Sequence, residues 1–326
     1  MKRLIIISSL LYICISSSAQ DPQLTQFYSA PLYLAPSFAG ATQQHRLAST
    51  YRNQWPGVPG AFITYSFSYD HYFSSFNSGL GLLLFRDEAG SGDLSTTNVG
   101  VNYSYDIQVA DLWHIRPGIA FLYTQRGINF SKLLWGDQIS PSGTTPTIEV
   151  PSLQRKGAID ASLSVLVYSD RMWAGVVADH LFRPNYSLYD DDITRWPMKF
   201  SAFGGYQVVR KGRLLKPIDE TLSLAALLKY QDHIAQLDIG VYWYKNPLVF
   251  GFWYRGLPFI GQERRGDAIC FLVGYKVEQF SIGYSYDFTI NKLLTSTWGS
   301  HEIALIYEFT SYRKKKKRHM IPCPEF

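Results

Sequence analysis

Along most of this chain, apolar and polar residues alternate with a period of two. From Ala61 to Asp70, the residues Ala61, Ile63, Tyr65, Phe67 and Tyr69 share one face. After Phe62, the other face carries Thr64, Ser66, Ser68 and Asp70. From Asn98 to Ile107, Val99, Val101, Tyr103, Tyr105 and Ile107 oppose Asn98, Gly100, Asn102, Ser104 and Asp106. From Phe280 to Phe288, Phe280, Ile282, Tyr284, Tyr286 and Phe288 oppose Ser281, Gly283, Ser285 and Asp287. Successive side chains of a strand point to opposite faces, so this alternation predicts strands with one apolar and one polar side. Each run is close to the roughly 9–11 residues with which a tilted strand crosses a bilayer.

Marking every such run predicts about fourteen strands, over 46–54, 61–73, 78–87, 95–108, 112–127, 158–168, 171–181, 198–209, 221–231, 235–245, 248–255, 267–276, 280–288 and 301–310. The links after strands 2, 4, 6, 10 and 12 are short, as at Ser169-Asp170 and Asn246-Pro247. Those after strands 1, 3, 5, 7, 11 and 13 are longer, the longest running from Ile128 to Gly157. Two links break the alternation: Arg210 to Glu220 is too long for its side and Asp232 to Ile234 too short. Short turns at one end and long loops at the other mark a transmembrane barrel. The expected fold is therefore all-β, an outer-membrane β-barrel of about fourteen antiparallel strands. The even count places both chain ends on the periplasmic side. Ile63, Tyr65, Phe67, Tyr284 and Tyr286 are expected to face lipid, and Ser66, Ser68, Ser285 and Asp287 the lumen. Trp113, Trp173, Trp243 and Trp253 near strand ends fit the membrane–water boundary. The competing reading puts these aromatics in the core of a soluble sandwich.

Composition narrows the choice. The chain holds 23 Tyr, 20 Phe and 8 Trp, yet its mean hydropathy is near zero, which suits a barrel with one lipid-facing side. Lys2 and Arg3, the mostly apolar Leu4 to Ile15 and the small residues Ser17-Ser18-Ala19 form a secretory signal peptide, with Gln20 as the expected mature start. Cys14 raises the alternative of a lipoprotein, but Ile13 precedes it where a small residue is needed. No later stretch of 18 apolar residues predicts a membrane helix. The expected organisation is a signal peptide over 1–19, an irregular segment over 20–45, the barrel over 46–310 and a basic tail over 311–326. Pro22, Pro31 and Pro36 make the second of these irregular or a short helix, at the periplasmic side or plugging the lumen.

The formal charge of +5 is local. Lys2 and Arg3 supply two charges and residues 313–326 supply five, which leaves −2 over 20–312. Nucleic acid is therefore not an expected partner of this exported chain. The run Arg313, Lys314, Lys315, Lys316, Lys317, Arg318 has three readings: docking on anionic outer-membrane lipid, docking on an acidic protein surface, or a solvated end.

Catalytic and metal-binding constellations are weak. His71, His114, His180 and His233 show no repeated ligand spacing, and Cys270 and Cys323 suggest two unrelated thiols. Gly79-Leu80-Gly81 reads as small lumen-facing residues. Asp190-Asp191-Asp192 is either a calcium-binding loop or, more plainly, a solvated acidic one. Asp70, Asp106, Asp160 and Asp287 alternate inward, where Arg116 or Lys199 could pair with them. No cofactor, metal site or enzyme activity is expected.

The mature start Gln20-Asp-Pro-Gln-Leu-Thr-Gln-Phe-Tyr28 and the segment Ala30-Pro-Leu-Tyr-Leu-Ala-Pro-Ser-Phe-Ala-Gly40 resemble the PorP/SprF family of Bacteroidetes. Tyr51-Arg-Asn-Gln-Trp55 followed by Pro56-Gly-Val-Pro-Gly60 fits the same resemblance, which spans the mature chain. It implies an outer-membrane barrel of the type IX secretion system, in some members linked to gliding motility. It also implies association with a periplasmic ring of a PorK/GldK-like lipoprotein and a PorN/GldN-like protein, and a part in exporting or attaching surface adhesins. It brings no catalytic residues. A diffusion channel or hydrophobic-solute transporter is the second functional reading, because fourteen strands suffice for a solute pathway.

Overall fold

The computed structural model describes residues 21–140, 143–144, 155–188, 193–212, 218–257, 265–290, 297–309 and 321. The signal peptide, Asp190 to Asp192, the basic run Arg313 to Arg318 and Cys323 lie outside them.

The fourteen strands are β1 (His45–Gln54), β2 (Phe62–Phe73), β3 (Ser78–Ala89), β4 (Leu94–Tyr105), β5 (His114–Gly127), β6 (Arg155–Tyr168), β7 (Met172–Asp179), β8 (Lys199–Gly212), β9 (Ile218–Gln231), β10 (Ile234–Lys245), β11 (Leu248–Leu257), β12 (Arg265–Val277), β13 (Phe280–Thr289) and β14 (Ser300–Phe309). Each pairs antiparallel with its neighbours in sequence, and β1 pairs with β14 from His45–Phe309 to Gln54–Ser300. That seam closes the sheet and leaves no edge strand, so backbone polar groups in the wall are paired without water. Among the described residues, no helix is long and apolar enough to cross a membrane; the chain crosses with strands.

All fourteen expected strands are present, with differences at their ends. The fourth stops at Tyr105, where the Asp106 amide donates to the Asn77 carbonyl at 2.8 Å. Ile107–Gln108 then continues as a separate short pairing with β5. The seventh ends at Asp179 because His180 turns the chain, with φ +59°. Strands β8 and β9 run further than expected and shorten their link to 213–217, which removes one of the two exceptions to the loop pattern. The other exception stands, since Asp232 and His233 alone join β9 to β10.

The alternation sorts the side chains as expected. On β3, Leu80, Leu82 and Leu84 are exposed while Leu83 and Phe85 are buried. Tyr65, Phe67 and Tyr284 are exposed, and Ser66, Ser68, Ser285 and Asp287 are buried inside. A continuous outer surface of Leu, Val, Phe and Tyr would be unsustainable in water and is what a barrel presents to lipid. Two of the four boundary tryptophans follow that reading: Trp113 and Trp243 point outward. Trp173 and Trp253 do not. Both are 2% exposed and inside the barrel, where strand parity put them and where something else fills the lumen.

Phe67→Arg is expected to lower the unfolding free energy by about 2–4 kcal/mol, the cost of a cation on a barrel's lipid face near the midplane. Phe67→Leu should cost far less. Urea titration of both variants in lipid vesicles checks this, and an Arg variant as stable as the native chain would reverse the inside–outside assignment.

Candidate functional site

The lumen is occupied by the chain's own N-terminal segment. From Asp21 it passes through a 3-10 turn (Phe27–Ser29), a single helical turn (Pro31–Leu34) and a second 3-10 turn (Pro36–Phe38) before reaching β1. Pro31 and Pro36 sit at the first positions of their turns, where the missing N–H costs nothing and the fixed φ suits the turn. The segment's turns pair several backbone groups among themselves, and the wall supplies partners for backbone groups of Thr25, Gln26, Ser37, Ala39 and Gly40.

Three clusters hold it, in order along the segment. At the long-loop end, the Asp21 carboxylate accepts from His180 (2.9 Å), Lys199 (2.8 Å), Trp196 Nε1 (3.0 Å) and Gln231 (3.0 Å). His180 reaches this point because the chain turns inward after β7, and its other ring nitrogen meets Asp160 at 2.6 Å. Burial works against a charged His180, yet the Asp21 carboxylate and the hydrogen bonds to Asp160 and Asp21 push its pKa up to about 10. Burial likewise opposes a charged Asp21, and Lys199 and His180 prevail, holding it well below the usual carboxylate range.

Deeper in, the Glu302 carboxylate accepts the backbone N–H groups of Thr25 (2.7 Å) and Gln26 (2.8 Å). Arg52 bridges Asp287 (2.8 Å) and Glu302 (3.1 Å), and Arg255 bridges Asp287 (3.0 Å) and Asp238 (3.3 Å). The Thr25 hydroxyl donates to Asp287 and accepts from both arginines. Arg52, Glu302, Asp287, Thr25 and Gln26 are each no more than 2% exposed. Charges this buried persist only in matched sets, because a lone one costs several kcal/mol to desolvate.

At the short-turn end, the Gly40 amide donates to Asp70, which also pairs with Arg46 at 2.8 Å. The Ala39 carbonyl accepts from Arg116 and from Ser104, and the Ser37 amide donates to Ser164. Close approach is possible because the wall is bare here. A Cβ at Gly79 would stand 1.9 Å from the Ala39 oxygen, and one at Gly118 would stand 2.3 Å from the Ser37 nitrogen. The opposite wall is bulky. Trp173, Phe203, Tyr242 and Trp253 project inward against Phe27, Tyr28 and Phe38, and Trp173 Nε1 donates to the Tyr28 hydroxyl at 3.0 Å.

The sequence reading placed Asp70, Asp106, Asp160 and Asp287 inward correctly, but their partners differ from those named. Asp70 pairs with Arg46, Asp160 with His180 and Asp287 with Arg52 and Arg255. Asp106 meets His114 and the Tyr168 hydroxyl. Arg116 binds a plug carbonyl, and Lys199 pairs with Asp21 and Asp179. Gly79 and Gly81 do face the lumen, beside Ala39 and Leu32. Sequence reasoning missed Arg52, Arg255, Asp238 and Glu302. Arg52 and Glu302 stand on the inward parity of their strands, next to outward Tyr51 and Ile303, and an inward charge near the strand end was the available signal. Asp21 also lies apart from β1's own start, so strand count does not fix the side on which the segment begins. Cys270 is a buried free thiol. Among the described residues no group of His, Cys, Asp or Glu is arranged to hold a metal ion.

Residues 16–307 match the model of a family described as type IX secretion system membrane protein PorP/SprF. No curated protein matches the chain. Among solved structures, the toluene transporter TodX of Pseudomonas putida is similar over 85% of this chain and 93% of that one, at 10% identity and a TM-score of 0.50. The toluene transporter TbuX of Ralstonia pickettii is similar over 85% of this chain and 92% of that one, at 9% identity and a TM-score of 0.49. The outer membrane protein Omp33 of Acinetobacter baumannii is similar over 82% of this chain and all of that one, at 8% identity and a TM-score of 0.40. At such identities the likeness is one of fold alone.

Two outcomes are expected from the filled lumen. The native barrel in a planar bilayer should pass no steady ionic current, whereas deletion of residues 22–40, or Gly79→Val against Ala39, should produce single-channel steps. An inserted deletion variant that stays silent would mean that the segment is not what closes the lumen. The second outcome concerns His180. A raised pKa contributes stability that is complete below the ordinary value of 6.5 and is lost as pH rises through about 10. The thermal stability difference between native protein and His180→Gln should therefore be largest below pH 6.5 and vanish near pH 10. A difference that grows with pH would contradict the Asp21–His180 pairing.

Proposed function

The chain belongs to the PorP/SprF family of type IX secretion system membrane proteins, and from that premise we propose that it acts as a plugged outer-membrane platform and not as an open pore or an enzyme. In this reading the short-turn end, where β1 begins and β14 finishes, faces the periplasm. It docks there on a ring of a PorK/GldK-like lipoprotein and a PorN/GldN-like protein. The long-loop end faces outward and supports export or attachment of surface proteins, among them gliding adhesins.

The observation that carries this reading is the filled lumen. A segment fixed through Asp21, Thr25, Gln26, Ala39 and Gly40 to charged residues of the wall is costly for a diffusion channel and harmless to a docking platform. The solute-transporter reading draws on the strand count and on the barrel's likeness to TodX, and both are matters of fold.

The basic run Arg313 to Arg318 follows directly on β14 and so starts from the short-turn end. Six clustered cations there suit docking on an acidic protein surface or on anionic headgroups, with an effect on association greater than on barrel stability. Deleting residues 313–326 should leave the barrel inserted and heat-resistant while reducing recovery of ring proteins in a pull-down from detergent-solubilised membranes, more so at low salt, where the charges of the intact tail are least screened. If the truncated barrel disappears from the membrane, the tail serves assembly. If recovery is unchanged, the tail has no part in docking. Failure of the intact protein to retain either ring component would overturn the platform reading itself.

A further inference from the structure

Beyond β14, the described residue Ile321 packs, partly buried, against the apolar core inside the barrel. Tyr168, Trp173, Tyr244, Val249 and Ile306 of that core each lie within three positions of a strand end at the short-turn side. They carry apolar lining down to the mouth where the barrel meets water. Apolar surface at a wet mouth is stable only when something covers it. Ile321 is a covering side chain supplied by the chain itself.

Ile321 reaches this core through the short-turn mouth. β14 finishes there, and the twelve chain steps from Phe309 to Ile321 reach at most roughly 43 Å. A path over the outside of the barrel would lay Arg313 to Arg318 against lipid, the face least tolerant of cations. Pro322 follows directly and biases residue 321 toward extended backbone, which lets a single side chain project into the barrel. The six cations of the basic run therefore lie between two points at the mouth, the end of β14 and Ile321.

We propose that the short-turn mouth is a docking socket for the chain's own C-terminal segment, residues 319–326, with Ile321 as its apolar anchor. The basic run is then a loop held at both ends, and its charges are presented across the mouth that the N-terminal segment closes from within. The assignment rests on the packing of Ile321 and not on any contact with the ring.

The test uses the purified full-length barrel in detergent. With Ile321→Cys in a Cys323→Ser background, the added thiol should react with a maleimide at least tenfold more slowly than the same thiol in a free synthetic peptide of residues 313–326. Cys270 is buried and does not compete for the reagent. The socket itself is read with Ile321→Asp, whose charge forfeits the apolar contact. A fluorescent peptide of residues 319–326 carrying Cys323→Ser should bind this variant saturably. It should bind the native barrel and Ile321→Val at least tenfold more weakly, because there the chain's own segment occupies the socket at high effective concentration. Heat-resistant migration checks that every variant remains folded. A thiol as reactive as in the free peptide would overturn the proposal, as would equal peptide binding to the native and Ile321→Asp barrels, or no binding to either. Peptide binding undiminished when the peptide itself carries Ile321→Asp would also overturn it, since the apolar anchor would not be what the mouth recognises.

Discussion

The Glu302 carboxylate holds the amide hydrogens of Thr25 and Gln26 at 2.7 and 2.8 Å, and Arg52 lies across it and Asp287. The turns of this irregular segment pair several of its amides internally, and those of Thr25 and Gln26, which precede the turns, take their acceptor from the wall. A carboxylate can serve two amides at once, but it then needs a cation, and the cation needs the rest of its own charge answered. Arg52, Arg255, Asp287 and Asp238 follow from that chain of requirements. These inward charges are thus the hydrogen-bonding complement of one peptide segment.

The two walls of the lumen divide the remaining work. From β3 to β6, glycine, serine and alanine leave space for the plug's backbone to lie against the sheet, as Gly79, Gly118 and Ser164 do for residues 37–39. From β7 to β12, Trp173, Phe203, Tyr242 and Trp253 fill what the thin segment cannot, giving a packed hydrophobic core inside what is otherwise a polar lining. The result is an interior built like that of a soluble protein inside an exterior built for lipid. It is also why a fourteen-stranded tube, wide enough for solutes in principle, is closed here.

How far the sequence speaks follows from which physical signal is periodic. Strand positions and the outward faces were legible, because lipid on one side imposes a period of two on runs such as Phe280 to Phe288. The lumen has no such rule. Trp173 and Trp253 fall on the inward parity of their strands, and the presence of Phe27 and Tyr28 behind them makes them core. The partner of Asp287 was equally hidden, since Arg52 comes from a strand brought near only by closure, whereas Arg46 stands directly opposite Asp70 in the β1–β2 pair. The segments that carried the family resemblance, 20–40 and 51–60, meet in one buried cluster through Thr25, Gln26 and Arg52.

Arg52 belongs to the first strand and Glu302 to the last, 250 residues apart in the chain. Their ion pair spans the seam that turns the sheet into a cylinder. Until those two strands meet, the acceptor for Thr25 and Gln26 and its counter-charge are on opposite edges of an open sheet, and the middle of the segment's three anchors is incomplete. The middle anchor of the plug and the closure of the cylinder therefore share the same residues. A segment near one end of the chain thus takes its central hold from both margins of the sheet, and whatever parts β1 from β14 also loosens what fills the cylinder.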